Sequence, residues 1–235
     1  FVAYRHLQTG DLVPVGSVFF VGPDHETLPK TVAKTFAVTA RHVIDGLRRK
    51  GMKSAFLRLN SKAASEQFVS VETALDDWSF DQSDEAIDVA AIEFRMPKDA
   101  DHLAIPLSIA CTPEKISEHE VSLGDEIFIS GLFVHHYGTS KNIPIVRIGA
   151  IASLMEEKVN TRRGPMDAYL VECRSTGGLS GSPVFVNLGT GRIIQGITQL
   201  GSSGGFLLLG LVHGQFDVVA QTDDATEEDA LSAEG

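Results

Sequence analysis

Cysteine is nearly absent from this chain: Cys111 and Cys173 are the only two in 235 residues, far apart and with no CxxC spacing. That excludes a disulfide-dense secreted scaffold, and two buried free thiols are expected. Long apolar runs are missing too. The longest, 206–212, falls well short of the roughly 20 residues that cross a bilayer as a helix, so no membrane segment is expected in this chain. No stretch before residue 100 has a long helical period, and no internal repeat relates one half to the other. Basic residues are in deficit, with 20 Lys and Arg against 31 Asp and Glu and a formal net charge of −11. Phosphate contact needs clustered Lys and Arg, so a nucleic-acid partner is not expected. The deficit is concentrated at one end. Residues 217–235 carry seven acids and no Lys or Arg, which reads as a solvated acidic tail on a body of ordinary charge. Phe1 rather than Met opens the chain. Location is therefore not read from its first residues, and a further domain or partner outside this stretch stays open.

What is present is a series of short β-type runs. At 43% apolar and 22% charged residues, the chain can bury a core as one all-β unit or two smaller ones. Strand patterns fall at 12–21 with a glycine break, 34–40, 54–60, 67–73 and 87–94. Between them, 45–50 reads as a charged turn and 76–85 as an acidic loop. Residues 97–120, with Pro97, Pro106 and Pro113, read as an irregular connector. Strand signals resume at 127–131, 143–154, 168–173, 184–186, 192–199 and 206–216. Two blocks of short strands with turn residues between them point to two antiparallel barrels or sandwiches. The expected boundaries are 1–108 for the first unit, 109–120 for the connector, 121–216 for the second and 217–235 for the tail.

Three places carry chemistry. Gly178-Leu179-Ser180-Gly181-Ser182-Pro183 lies between two β-type runs, so its glycines make a tight turn that presents a small hydroxyl residue. His42 ends a hydrophobic run after Thr39-Ala40-Arg41. Asp88 opens another with apolar neighbours on both sides, where a carboxylate is costly without a partner. A serine needs a base to take its proton, and the base needs a carboxylate to orient it. Other side chains carry less. His6, His25, His102 and His119 read as structural or exposed, and His135-His136 as a loop without a Cys or carboxylate at ligand spacing. The acids Asp76, Asp77, Asp81, Asp84 and Glu85 lack the ordered spacing of a calcium loop. No metal and no cofactor is expected.

Thr39-Ala40-Arg41-His42-Val43, Asp88-Val89-Ala90-Ala91-Ile92 and Gly178-Leu179-Ser180-Gly181-Ser182-Pro183-Val184 resemble, in order, the three signature segments of the trypsin/chymotrypsin-like serine peptidases. The likeness is greatest to the bacterial trypsin-like and glutamyl-endopeptidase type. Spacings of 46 and 92 residues between His42, Asp88 and Ser180 are similar to the family's, and the likeness runs over about residues 14–216. The resemblance implies an all-β fold of two antiparallel six-stranded barrels, with the active site between them. It implies a serine endopeptidase acting on polypeptides through an acyl-enzyme, with Ser180 as nucleophile, His42 as general base and acid, and Asp88 fixing the imidazole tautomer. The N–H groups of Gly178 and Ser180 would form the oxyanion hole. Val212, His213 and Gly214 would pair with substrate backbone. Ser182, in the same turn, falls after the nucleophile in the family's register.

Departures from the pattern carry information. Leu179 replaces the aspartate with which animal enzymes capture a newly cut N-terminus, so that mode of activation is not expected. His213 stands where the family usually has a serine near the catalytic aspartate, either bonding Asp88 or lining the pocket. Arg174, six before Ser180, occupies the pocket floor and argues against cleavage after Lys or Arg. Pointing inward with Ser175 as a second donor, it would favour acidic side chains; pointing to solvent, it leaves a small or apolar pocket. The family usually continues past residue 216 with a strand and a C-terminal helix, neither of which is read here. The other reading of the whole is a catalytically weak fold of the same type that acts as a protein-binding or regulated effector module.

Overall fold

The computed structural model describes residues 1–24, 34–63, 68–161, 164–174, 177–195, 197–200 and 205–214. Four antiparallel strands run Leu12–Gly16, Val2–Arg5, Ser54–Ser61 and Phe68–Ala74, with Ala100–Asp101 added on Ser54–Ser61. A second sheet orders Ile105–Pro106, Phe19–Gly22, Phe36–Ala40, Val89–Glu93 and Ser79–Phe80. These two sheets enclose one apolar core, in which Ile44, Leu47, Leu57, Leu75 and Trp78 are almost wholly buried. Past the connector, Leu170–Cys173, Ile145–Ser153, Glu126–Gly131, Pro183–Asn187 and Phe206–Leu211 form a five-stranded antiparallel sheet. Its separate core is built from Val121, Ile127, Ile129, Ile151, Leu179, Val184, Val186 and Leu207. Alternation explains the inward set: along Ile145–Ser153, Arg147 and Ile151 are buried while Val146 and Ile148 are exposed. The chain is thus mostly β, in two largely antiparallel units, consistent with a chymotrypsin-like double barrel.

Three local readings are corrected. The segment expected as a turn at 45–50 belongs to an α-helix, Arg41–Arg49, which buries Val43, Ile44 and Leu47 against the first core. Its sequence signal is weak because Ala40 cannot cap it, Gly46 interrupts it and its first turn holds no acid. Within the connector, Pro113–Glu118 is a short helix. Thr112 caps it by accepting from the Lys115 N–H, and Pro113 begins it, a start signal that the neighbouring prolines obscured. The single run expected over 192–199 is a hairpin, Gly191–Ile194 with Ile197–Leu200. A second hairpin, Val159–Thr161 with Gly164–Met166, and the opening strand Val2–Arg5 had no signal strong enough to register.

The two units are tied together by polar contacts. Arg58 donates to the carbonyls of Gly138 and Thr139 at 2.8 and 3.0 Å, and Asn60 and Asn142 exchange bonds of 2.7 and 3.2 Å. These hold the loop after Glu126–Gly131 against the first unit. A smaller set of contacts, centred on Ser17, joins the units at the candidate site.

Candidate active site

The helix carrying His42 starts without a cap of its own, and Asp88, just before strand Val89–Glu93, supplies one. The Asp88 carbonyl accepts from Arg41 N–H at 3.1 Å, and its Oδ1 accepts from His42 N–H at 2.8 Å. Two donors of the first turn, which have no partner within a helix, are thereby satisfied by one residue. The other carboxylate oxygen, Oδ2, lies 2.6 Å from His42 Nδ1. Strand pairing of Ala40 with Val89 fixes both ends of this contact. Asp88 is 3% exposed. Burial alone would push its carboxyl up, but donation from His213 and from His42, together with the charge of His42, overcomes it and holds the group well below the usual carboxylate range.

His213 is the second donor, with Nδ1 at 2.5 Å from the same Oδ2. Its ring meets that of His42 edge to face at 5.7 Å between centroids. An ionised carboxylate only accepts, so both imidazoles carry their proton on Nδ1 and turn Nε2 away from Asp88. Of the two placements open for His213, the structure has the one that bonds Asp88.

The serine turn is locked to the same place from the other unit. Ser17 N–H donates to the Ser180 carbonyl at 2.9 Å, and Thr39, three residues before His42, donates its hydroxyl to the Ser17 carbonyl at 2.7 Å. The Ser17 hydroxyl accepts from Leu132 N–H and from the Ser182 hydroxyl, each at 2.8 Å. Ser182 is completely buried in this network, so the second serine of the turn is a structural hydroxyl. Leu179 points the opposite way into the second core. Val212 closes the turn from behind, its carbonyl accepting from Gly181 and its N–H donating to Ser182, both at 2.9 Å. That leaves the backbone of His213 and Gly214, and not that of Val212, without protein partners among the described residues.

Gly178 and Gly181 have φ of +101° and +79°, the left-handed region that glycine adopts without penalty. Space forbids a side chain at either. A Cβ on Gly178 would stand 2.8 Å from Val134 Cγ1, and one on Gly181 would stand 2.5 Å from the Ser17 carbonyl. Gly181→Ala is therefore expected to cost at least about 2 kcal/mol, from left-handed strain plus the clash. Urea unfolding checks this. Among the described residues the N–H groups of Gly178 and Ser180 donate to no protein acceptor, and the Ser180 hydroxyl makes no hydrogen bond.

Other expected site residues separate. Arg174 is exposed, the placement that the solvent-facing alternative requires. Ser175, His25 and the tail 217–235 lie outside the described residues. Cys111 and Cys173 are free and half-buried, and burial raises both thiols above their ordinary range. Asp81 accepts from Ser83 and Asp84 of its own loop, and among the described residues the acids of 76–85 form no group able to hold a metal ion. Ser17 carries no signal in the sequence, because a serine after a glycine has many uses, and Thr39 carries one only as a neighbour of His42.

No protein-family model matches the sequence. No curated protein matches it either. Among solved structures, the chain is similar to the MamO protease domain from Magnetospirillum magneticum in its apo form, at 12% identity and a TM-score of 0.41. That match covers 84% of this chain and 93% of the other.

Proposed function

We propose that the chain is a serine endopeptidase that cleaves polypeptides through an acyl-enzyme. The observation that carries this reading is the Asp88 carboxylate, which fixes both the backbone and the imidazole of His42 beside a serine turn anchored through Ser17 and Thr39. With Nδ1 protonated and bonded to Asp88, Nε2 of His42 is the free base. It takes the Ser180 proton as Oγ adds to the scissile carbonyl, then hands that proton to the departing amine. The N–H groups of Gly178 and Ser180, held by a glycine conformation that keeps side chains clear, receive the oxyanion. Water then repeats the sequence on the acyl-enzyme and restores Ser180. Hydrogen bonds between nucleophile and base are often long in a free enzyme and tighten around substrate, which accommodates the unbonded Ser180 hydroxyl.

The bacterial trypsin-like subtype is the finer part of the proposal. It is supported by Leu179, whose burial in an apolar core leaves no carboxylate to capture a new N-terminus. The exposed Arg174 favours a small or apolar first pocket. The unbonded Ser180 hydroxyl also favours the other reading, a binding or effector module on the same scaffold.

Incubation with a peptide library, read by mass spectrometry, tests the choice. Discrete cleavages that vanish in Ser180→Ala support the enzyme, and an untouched library points to the module. Because exposed ion pairs contribute only about 0–1 kcal/mol, Arg174→Ala is expected to change cleavage after Glu by less than about fivefold. A strong preference for Lys or Arg would contradict a small or apolar pocket.

A further inference from the structure

Two imidazoles bonded to one carboxylate oxygen are more than proton transfer needs. His42 alone supplies a base with an oriented tautomer. His213 adds a second nitrogen on the same side, and the ligand atoms of His42, Asp88 and His213 all lie within 4.8 Å of one another. Asp88 is buried, while the two histidine side chains remain about 30% exposed, so the group is reachable from solvent. Two neutral imidazole nitrogens and one carboxylate oxygen are a donor set suited to zinc, whose bonds to each are about 2.0–2.2 Å. The present contacts of 2.5 and 2.6 Å are hydrogen bonds. Ligands sharing a tetrahedral ion stand about 3.3 Å apart, so side-chain shifts of about 1 Å would admit one.

We propose that His42, Asp88 and His213 form an inhibitory site for zinc, with Nδ1 of each histidine and Oδ2 of Asp88 as ligands. The consequence follows from the imidazole tautomer. A zinc ion on Nδ1 takes the place of the proton there, and a neutral ring then carries its proton on Nε2. Each ring gives one proton to water and takes one from it, so no net proton is needed. Nε2 of His42 is the atom that must accept the Ser180 proton, and in the zinc form it is already a donor. Zinc thus switches off the base without covering the serine. The fourth position on the ion stays open to water.

Binding does not depend on the peptidase reading; inhibition does, and the experiment keeps them apart. Zinc is titrated by isothermal calorimetry into the Ser180→Ala chain, which cannot turn over and has lost no ligand. One equivalent is expected to bind, and His213→Ser or His42→Ala in that background is expected to weaken binding by more than about 100-fold, at or beyond the loss caused by removing an outer partner of a zinc ligand. Circular dichroism checks that each variant folds. His213→Ser keeps a hydroxyl donor for Asp88 and decides alone where the other fails. Nitrogen NMR of the histidines reads the tautomer directly, with protonated Nε2 expected in the zinc form. Zinc binding that survives His213→Ser, as an ion on the exposed His135-His136 would, overturns the proposal, as does no binding up to millimolar zinc. In the unsubstituted chain, zinc should stop hydrolysis at the concentration at which it binds, and a chelator should restore it. Zinc bound through these residues by a chain without hydrolysis would sink the peptidase reading alone. Hydrolysis by a chain that binds no zinc would sink the zinc site alone.

Discussion

Ser180→Ala and His42→Ala are each expected to lower kcat by about 10⁶, and the double substitution to lower it no further than either alone. The reason is that the two residues perform one step. Without the base, the Ser180 hydroxyl remains a weak nucleophile; without the hydroxyl, Nε2 has no proton to take. Residual hydrolysis above the rate in water should persist in all three variants, because the N–H groups of Gly178 and Ser180 still meet the developing oxyanion. Steady-state hydrolysis of a peptide ester by the three variants makes the comparison. Losses that multiply in the double variant would mean that the residues act separately, which an arrangement built around one proton transfer does not allow.

Asp88→Asn is expected to lower kcat by about 10⁴ while largely preserving the fold. An asparagine Oδ1 can still accept from His42 N–H, so the cap on the helix Arg41–Arg49 survives. The other atom becomes an NH₂ group facing Nδ1 of both His42 and His213. A donor there obliges each ring to carry its proton on Nε2, the tautomer that cannot receive a proton from Ser180. The same substitution tests a pH dependence. Asp88 titrates lower in the folded chain than in the unfolded one, so its stabilisation is fully present above the ordinary carboxylate value of about 4. It is lost as pH falls through the folded value. Unfolding free energies between about pH 2 and 5 should therefore fall less steeply in Asp88→Asn than in the unsubstituted chain, and an unchanged slope would contradict the coupling.

The two-unit β architecture was legible because its signals are local. Alternation in 54–61, 126–131 and 145–153, and turn residues between them, are written in consecutive positions. The helix Arg41–Arg49 was not, since its start is capped by Asp88, 46 residues away, and a local reading finds only an alanine. The candidate site divides in the same way. His42, Asp88 and Ser180 carry motifs that can be recognised one segment at a time. Ser17 has no motif; it matters because residues 39, 132, 180 and 182 converge on it, and only folding brings them together. His213 stood between two placements, and the 2.5 Å contact with Asp88 decided between them.

A fluorophosphonate probe tests the central claim most directly, because it reports whether one hydroxyl in the folded chain is activated as a nucleophile. The probe should label the native chain once, on Ser180 by peptide mass spectrometry, and labelling should disappear in Ser180→Ala and in the urea-unfolded chain. Native, folded protein that stays unlabelled, or labelling that persists in Ser180→Ala, would contradict the account.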